Sequence, residues 1–546
     1  MKTGTAWHDA GRVGAVAVWG SAVTLLFILF LLFRPEYLNT DTAQYISGAR
    51  HLLAGEGYST SVLYFEDQLR FGRIPAPQTT WPPGFSLLIA VSVFLGIPDL
   101  YAPFIVAALS AAASILMVHA VIARVVSVGR APMIGGLLMA VVVFPHVLVF
   151  RGLTEPTYTL FTLIALMAIV RLAEGNRHWA VFASLGAACA AAFMTRYMGA
   201  TFVIAVGLFL LIELWRVPSW KCFWGAGLAM AIPGIIAGLL FIRNWRLVGT
   251  LSGGPDIDRG SDWAEVLRSL WWSAKGVIGL RTDSTPVVVF SLAVVAGITL
   301  VLLVWWKERG IRSQPARQKR ESATAVMVVS ALYAFVTIAV LAFLAQRRDA
   351  ELLSSRYLAP LLPFVICTAL VLYEAVRART KMMSRALAAG GAICLLGLIG
   401  LQGMQLIEVR SWFEGNSKYR VMKDALQEHF AGETVGQYLA EHASAHGPIL
   451  DVDGQLLGLM LERPVIGLSE AAWTWRTWTD DEVLTLIENF DISIVCFFPD
   501  LFDPRAQVNA HREFYRNLAA GRLPDWLVPL KQDGRISLYA VKRPGA

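Results

Sequence analysis

A series of uncharged apolar runs, each about as long as a bilayer is thick, constrains this chain more than any other feature. A helix that crosses the hydrocarbon core needs roughly 20 mostly apolar residues. Runs of that kind lie near 13–33, 101–123, 131–150, 155–173, 179–195, 197–215, 222–242, 286–306, 323–345, 357–376 and 386–407. Composition agrees: 56% of the 546 residues are hydrophobic and 16% are charged, against about 25% charged in an ordinary soluble domain. A disordered chain and a small disulfide-stapled fold are excluded. The chain reads as a polytopic α-helical membrane protein with about 11 spans. Lys2 and Arg12 precede the first run, which is long for a signal-peptide core and has no A-x-A site after it, so it reads as an uncleaved span.

Charge then orients the spans. Residues 408–546 hold 14 Lys and Arg against 20 Asp and Glu, a balance of −6, whereas the whole chain carries +7. The excess base therefore belongs to residues 1–407, where it reports topology and anionic lipid substrates rather than nucleic acid. With the N-terminus inside, the short inner loops are basic: Arg124/Arg130, Arg171/Arg177, Arg216/Lys221, Lys307–Arg320 and Arg377–Arg385. This follows the positive-inside rule. It places segments 34–100 and 243–285, and the C-terminal residues 408–546, outside. Loops of that length usually have a function. Gly84–Ile97, after Trp81-Pro82-Pro83, is too short to span and reads as a helix lying at the interface; as a true span it would invert everything after it.

The C-terminal segment reads as an α/β domain. Val421–His446, 480–489 and 504–520 have helical patterns, and Ile449–Val452, Ile492–Phe498 and Ile536–Val541 read as strands. The five cysteines form no CxxC pair and the nine histidines no HxH cluster; one HxxxH spacing, His442 and His446, stands alone, and a zinc site is not expected. No Walker loop or GxSxG motif occurs.

Chemistry-bearing residues collect at the outer ends of the spans. Asp41 opens a helix expected to run to about Ala54, ended by Gly55 and Gly57. It reads either as a helix cap or as a catalytic carboxylate. Glu155, in the short loop Arg151-Gly152-Leu153-Thr154-Glu155-Pro156, either complements a helix dipole or is a positioned acid; Thr154 is a cap for the span that follows. Two carboxylates at one face can supply a general base and a divalent-metal ligand. Arg70, Arg73, Arg151, Arg196, Arg243, Arg246, Arg347, Arg348 and Arg356 recur at the same boundary. They read as snorkelling side chains or as a cluster that holds a phosphate. Asp451-Val452-Asp453 is a DxD sequence, read more simply as a strand-end turn, and Asp256, Asp258 and Asp262 are a second candidate cation group. Trp473-Thr474-Trp475-Arg476-Thr477-Trp478 is an aromatic stretch suited to an interface belt or to sugar stacking.

Several motifs then fall into order. Asp41-Thr42-x-x-Tyr45-x-x-x-Ala49, Gly55-x-Gly57-Tyr58 and Trp81-Pro82-Pro83-Gly84 resemble the first periplasmic loop of GT-C glycosyltransferases, closest to the bacterial protein O-mannosyltransferase-like and aminoarabinose-transferase-like groups. Thr154-Glu155-Pro156 resembles their second-loop acidic motif, and Met194-Thr195-Arg196-Tyr197-Met198-Gly199 resembles their L-T-R-x-x-G stretch. Arg243-Asn244-Trp245 and Arg356-Tyr357-Leu358-x-Pro360-Leu361-Leu362-Pro363 fit the same pattern. The resemblance implies a GT-C-like module over 1–407 with a periplasmic α/β domain over 408–546. It implies sugar transfer from a polyprenyl-phosphate donor to a lipid, glycan or protein hydroxyl. Asp41 would be the base and Glu155 the second acid, with a divalent cation (Mg or Mn) an open question. Arg356, Arg70, Arg73, Arg196 and Arg243 would hold the donor phosphate, and Tyr45, Trp81 and Tyr357 would line the substrate pocket. Asp41 is followed by Thr42 rather than by a second acid. The first loop contains no lysine, so arginine takes the phosphate-contacting place that lysine fills in some relatives. The competing classes are a transporter or flippase of a lipid-linked sugar, and a membrane scaffold.

Overall fold

Backbone amides in hydrocarbon have no water to bond, so apolar runs there close their hydrogen bonds as helices. The structure, a computed structural model, describes residues 4–126, 131–251, 253, 260–277, 314–347, 353–377, 417–428, 437–439, 447–452, 454–470, 474–506, 509–532 and 534–542. Helices occupy nine of the expected spans: α1 (Gly4–Leu32), α5 (Ala102–Val125), α6 (Ala131–Val141) with α7 (Val143–Phe150), α8 (Glu155–Ala173), α9 (Trp179–Thr195), α10 (Gly199–Arg216), α11 (Trp220–Val248), α13 (Gln314–Arg347) and α15 (Leu362–Arg377). Seven described helical stretches are long and apolar enough to cross a membrane. The expected spans near 286–306 and 386–407 lie outside the described residues. The run 131–150 is two helices rather than one, because Pro145 cannot donate to the carbonyl four residues back and Val142 is extended between them.

Between α1 and α5 the chain forms α2 (Thr40–Leu53), β1 (Ser59–Thr60), β2 (Val62–Leu63), α3 (Glu66–Leu69), β3 (Ala76–Pro77) and α4 (Gly84–Phe94). The 84–97 segment is thus a short apolar helix, with Phe94 and Leu95 largely exposed. Its start touches backbone: a Cβ on Gly84 would lie 2.6 Å from the Met194 carbonyl oxygen. α12 (Trp263–Val277) packs against the short α14 (Ser355–Leu358) that precedes α15.

The C-terminal sheet has six strands, in the order β2-β5-β4-β6-β8-β7. β4 (Ile449–Asp451) is parallel to β5 (Val465–Gly467) and to β6 (Ile494–Phe497); β7 (Leu527–Gln532) and β8 (Ser537–Val541) are antiparallel. One edge strand comes from the first loop, because β2 pairs in parallel with β5 (Val62 with Val465, Leu63 with Ile466). The helix expected over 504–520 is shorter, Glu513–Ala519, and of 421–446 the structure describes Lys418–Glu428 and residues 437–439. One apolar core runs from Leu29, Phe33 and Ile46 through Phe104 to Ile449, Val465 and Ile494. The sheet therefore rests on the loop end of the helix bundle.

Polar bonds fix the first loop to its surroundings. Gln44 on α2, Gln68 on α3 and Gln78 after β3 join through side-chain amides at 2.8–3.2 Å, and Gln44 also donates to the Val62 carbonyl. Buried Glu66 accepts from Arg476 (2.7 Å) and Thr474 (3.0 Å) of the C-terminal segment. Its neighbour Asp67 faces the other way and accepts the hydroxyls of Thr79 and, at 3.0 Å, Thr80. Burial pushes the Asp67 carboxyl up to about 6, with the two threonines opposing. A raised carboxyl pKa means that the folded chain keeps a proton the unfolded chain gives up. The stability gained from this group is complete at about pH 4 and is lost as pH rises through about 6, by about 3 kcal/mol when ionisation is complete.

Two outcomes follow in thermal unfolding of the reconstituted protein. Gly84→Val lowers Tm by more than about 3 °C, because overpacking against backbone costs roughly 1–3 kcal/mol, whereas Gly20→Ala, with open space around its Cβ, does not. Asp67→Asn raises Tm relative to wild type at pH 7.5 but not at pH 4; an equal shift at both pH values contradicts the assignment of the raised carboxyl.

Candidate active site

The loop ends of α2, α8, α9 and α14 meet at one point. α2 begins beside the α7–α8 turn, where the Asn39 amide donates to the Arg151 carbonyl at 3.2 Å and the Thr42 hydroxyl at 2.7 Å. That turn needs Gly152 at φ +63°, with Leu38, Thr42 and Pro103 crowding the place of a side chain. The result sets Asp41, in the first turn of α2, facing Glu155, the first residue of α8. Asn39, not Asp41, is the N-cap residue. Thr154 makes no side-chain cap either; its hydroxyl accepts from Arg196 at 2.9 Å.

Arg356 joins the two acids. Its Nη1 donates to Asp41 Oδ2 at 2.7 Å and its Nε to Glu155 Oε1 at 2.6 Å. Arg196, on the extended residue between α9 and α10, donates to the same Glu155 oxygen. Glu155 is fully buried, Arg196 nearly so, and Asp41 and Arg356 keep a little exposure. The Tyr357 ring lies 5.4 Å from the Arg196 guanidinium and 6.0 Å from that of Arg356. Arg151 shares this field: burial and the positive charge of Arg356 lower its pKa, while Asp41 and Glu155 oppose them. Three guanidiniums thus surround two carboxylates, a net charge of +1. One turn along α2, Tyr45 is buried between Trp81 (5.6 Å) and Phe85 (5.3 Å). Burial, then the charge of Asp41, raises the Tyr45 phenol well above its ordinary range, so it stays protonated.

Three polar atoms here are buried without a hydrogen-bond partner among the described residues: Arg356 Nη2, Glu155 Oε2 and Trp81 Nε1. A buried donor or acceptor left unmade costs about 1–3 kcal/mol, more when charged. Together they offer two donors and one acceptor to a polar ligand.

The arginines expected at a phosphate divide into three groups. Arg196 and Arg356 belong to the acid cluster. Arg73 and Arg243 line a separate cavity of about 510 Å³ with Tyr58, Ile74 and Leu247. Arg243 is braced there by the carbonyls of Gln78 (2.9 Å) and Tyr58 (3.1 Å). Arg70 lies over the Trp475 ring at 4.8 Å. Between the cavity and the acids runs segment 78–81: the Thr79 carbonyl accepts the Tyr197 hydroxyl (2.9 Å), which in turn accepts from Asn244 (2.8 Å). Burial pushes the Tyr197 phenol up to about 12.

The other candidates resolve into structural roles. Asp451 Oδ2 accepts the Gly454 amide at 2.9 Å, a strand-end turn, and Asp262 accepts the Glu265 amide at 2.7 Å at the start of α12. Asp256, Asp258, Asp453 and Trp473 lie outside the described residues. Trp478 is buried and donates to the Ser469 carbonyl. Among the described residues no three His, Cys, Asp or Glu converge as a metal-ligating group. Arg356 occupies the place between Asp41 and Glu155 that a divalent cation would need, so this arrangement does not fit one. Glu66, Asp67 and the glutamine trio escaped the sequence reading; none lies in a recognisable motif.

A family model for dolichyl-phosphate-mannose-protein mannosyltransferases matches residues 80–240. No curated protein sequence matches the chain. Among solved structures, apo ArnT from Cupriavidus metallidurans aligns over 98% of both chains at 15% identity, with a TM-score of 0.55. The same protein bound to undecaprenyl phosphate aligns over the same share at 14% identity and a TM-score of 0.51. Archaeoglobus fulgidus AglB, an oligosaccharyltransferase solved with an inhibitory peptide and a dolichol-phosphate, aligns over 90% of this chain and 69% of its own at 13% identity and a TM-score of 0.51. The chain has the fold of the GT-C superfamily of membrane glycosyltransferases, the one that the protein-mannosyltransferase model and ArnT represent.

Proposed function

We propose that the protein is a glycosyltransferase that moves a sugar from a polyprenyl-phosphate donor to an acceptor hydroxyl at the extra-cytoplasmic face of the bacterial cytoplasmic membrane. The observation that carries this is the acid pair Asp41 and Glu155, bridged by Arg356 beside an arginine-lined cavity. The sidedness draws on charge: Arg124, Arg171 and Arg216 lie in the last turns of α5, α8 and α10, and the acids lie at the opposite helix ends. Relatives by fold were solved with undecaprenyl phosphate or dolichol-phosphate.

In this reading Asp41 takes the proton of the acceptor hydroxyl as its oxygen bonds to the anomeric carbon. The bond from that carbon to the phosphate oxygen breaks, and polyprenyl phosphate leaves with the electron pair. Guanidiniums facing that oxygen favour its departure. Arg356, whose Nη2 is unpartnered beside Asp41, is best placed to face that oxygen; Arg73 and Arg243, which among the described residues bind no carboxylate, line the approach of the lipid phosphate to it. Arg356 bridges the two acids, Arg196 holds Glu155, and Arg356 Nη2 remains for a substrate oxygen. Tyr45, Trp81 and Tyr357 form the aromatic side of the sugar pocket. The transporter alternative gains nothing from these charges, which sit at helix ends and not in mid-span.

The test supplies polyprenyl-phosphate sugars and membrane extract to the protein in nanodiscs and follows release of polyprenyl phosphate by mass spectrometry. Asp41→Asn lowers turnover by about 100-fold or more while the protein still folds and inserts; normal turnover in this variant ends its role as base. Arg73→Ala raises the donor KM roughly 10-fold while kcat changes less. An unchanged KM removes the cavity from donor binding.

A further inference from the structure

Asp67 is a buried acid near the site that the mechanism above does not use and that, unlike its neighbour Glu66, has no arginine partner among the described residues. It is 3% exposed, and among the described residues it makes no ion pair. The charged or titratable groups acting on it are Arg70, on its own helix, and the Tyr197 phenol from the α9–α10 turn. A carboxylate in that setting is costly unless hydrogen bonds offset the lost hydration. Asp67 takes them from two adjacent residues, Thr79 and Thr80.

Those residues belong to the strip that separates the two pockets. On one side the Gln78 carbonyl braces Arg243, which lines the cavity. In the middle the Thr79 carbonyl holds Tyr197, next in sequence to Arg196 of the acid cluster. On the other side Trp81 packs on Tyr45, one turn from Asp41. Gly253, at φ +71°, leaves no room for movement outward: a Cβ there would lie 2.1 Å from the Thr79 carbonyl oxygen.

We propose that Asp67 is a positioning residue whose ionised carboxylate, by accepting both threonine hydroxyls at once, holds segment 78–81 as a common wall between the Arg73–Arg243 cavity and the Asp41 site. This rests on the glycosyltransferase reading for its consequence in turnover, but not for the wall itself. Both hydroxyls converge on Oδ2, and Thr80 also lies 3.3 Å from Oδ1; a neutral acid or amide keeps one acceptor oxygen but loses the charge, so both bonds weaken from charge-assisted to neutral and the wall loosens. The carboxylate is thus held in its costly form, and stability is given up for geometry.

Asp67→Asn mimics the neutral acid and separates this role from a merely structural one. At pH 7.5 kcat/KM falls about 5–10-fold, while Tm rises. The wild-type to variant ratio of kcat/KM drops to about 1 at pH 5, as the wild-type carboxyl takes up its proton; the ratio cancels the donor phosphate's own ionisation. Hydrogen exchange at pH 7.5, read on peptides covering 78–81, is faster in the variant. Thr79→Val reproduces the loss and is not additive with Asp67→Asn, which keeps the test open if either variant folds poorly. Unchanged exchange, wild-type kcat/KM at pH 7.5, or a ratio that ignores pH each overturns the proposal. A wild-type protein that releases no polyprenyl phosphate from any donor defeats the transferase reading instead, and the exchange measurement still decides the wall.

Discussion

A single guanidinium holds together parts of the chain that are hundreds of residues apart. Arg356 sits 315 positions from Asp41 and 201 from Glu155, yet bonds both. Each carboxylate stands in the first turn of its helix, which favours negative charge there, but two acids in so small a space repel unless a cation lies between them. The bundle supplies that cation from the short helix before its last described span. Breaking such a pair leaves an uncompensated charge. The packing of α2 on the α7–α8 turn, the extended break at Arg196 and the brace of α12 behind α14 therefore all converge on one electrostatic arrangement. The surplus of one positive charge in it suits an anionic substrate.

The bundle was legible because its signal is long. Runs of about 20 apolar residues overwhelm local propensity, and α1, α5, α8, α9, α10, α11, α13 and α15 stand close to the expected positions. Pro145 divided one run, a local rule outweighed by the overall hydropathy of 131–150. Asp41 and Glu155 could be singled out because each opens a helix at a loop. The partners of the arginines could not. Arg196 pairs with Glu155 and Arg243 with backbone carbonyls, and nothing in the one-dimensional pattern distinguishes them, since both follow apolar spans. Thr154 had the look of a cap and instead completes the arginine's coordination.

The C-terminal sheet was partly legible for the same reason in reverse. Ile449–Asp451, Ile494–Phe497 and Ser537–Val541 carry enough β-branched and aromatic residues to register. β5 has three residues and β2 has two, too short for any periodicity to emerge. β2 in particular derives its strand character wholly from its partner, β5. Buried glutamines are equally silent in sequence, yet Gln44, Gln68 and Gln78 satisfy one another's amides and tie the acid-bearing helix to that sheet.

The shared sheet has an order-of-assembly consequence. Residues 62–63 are made before the strand they join, which follows roughly four hundred residues later. Until then residues 62–63 have no partner to make them a strand, and the carboxylate of Glu66 waits for Arg476. The loop that bears Asp41 is therefore completed last although it is made first. A chain interrupted before β5 would lack both the strand that pairs with residues 62–63 and the arginine that meets Glu66.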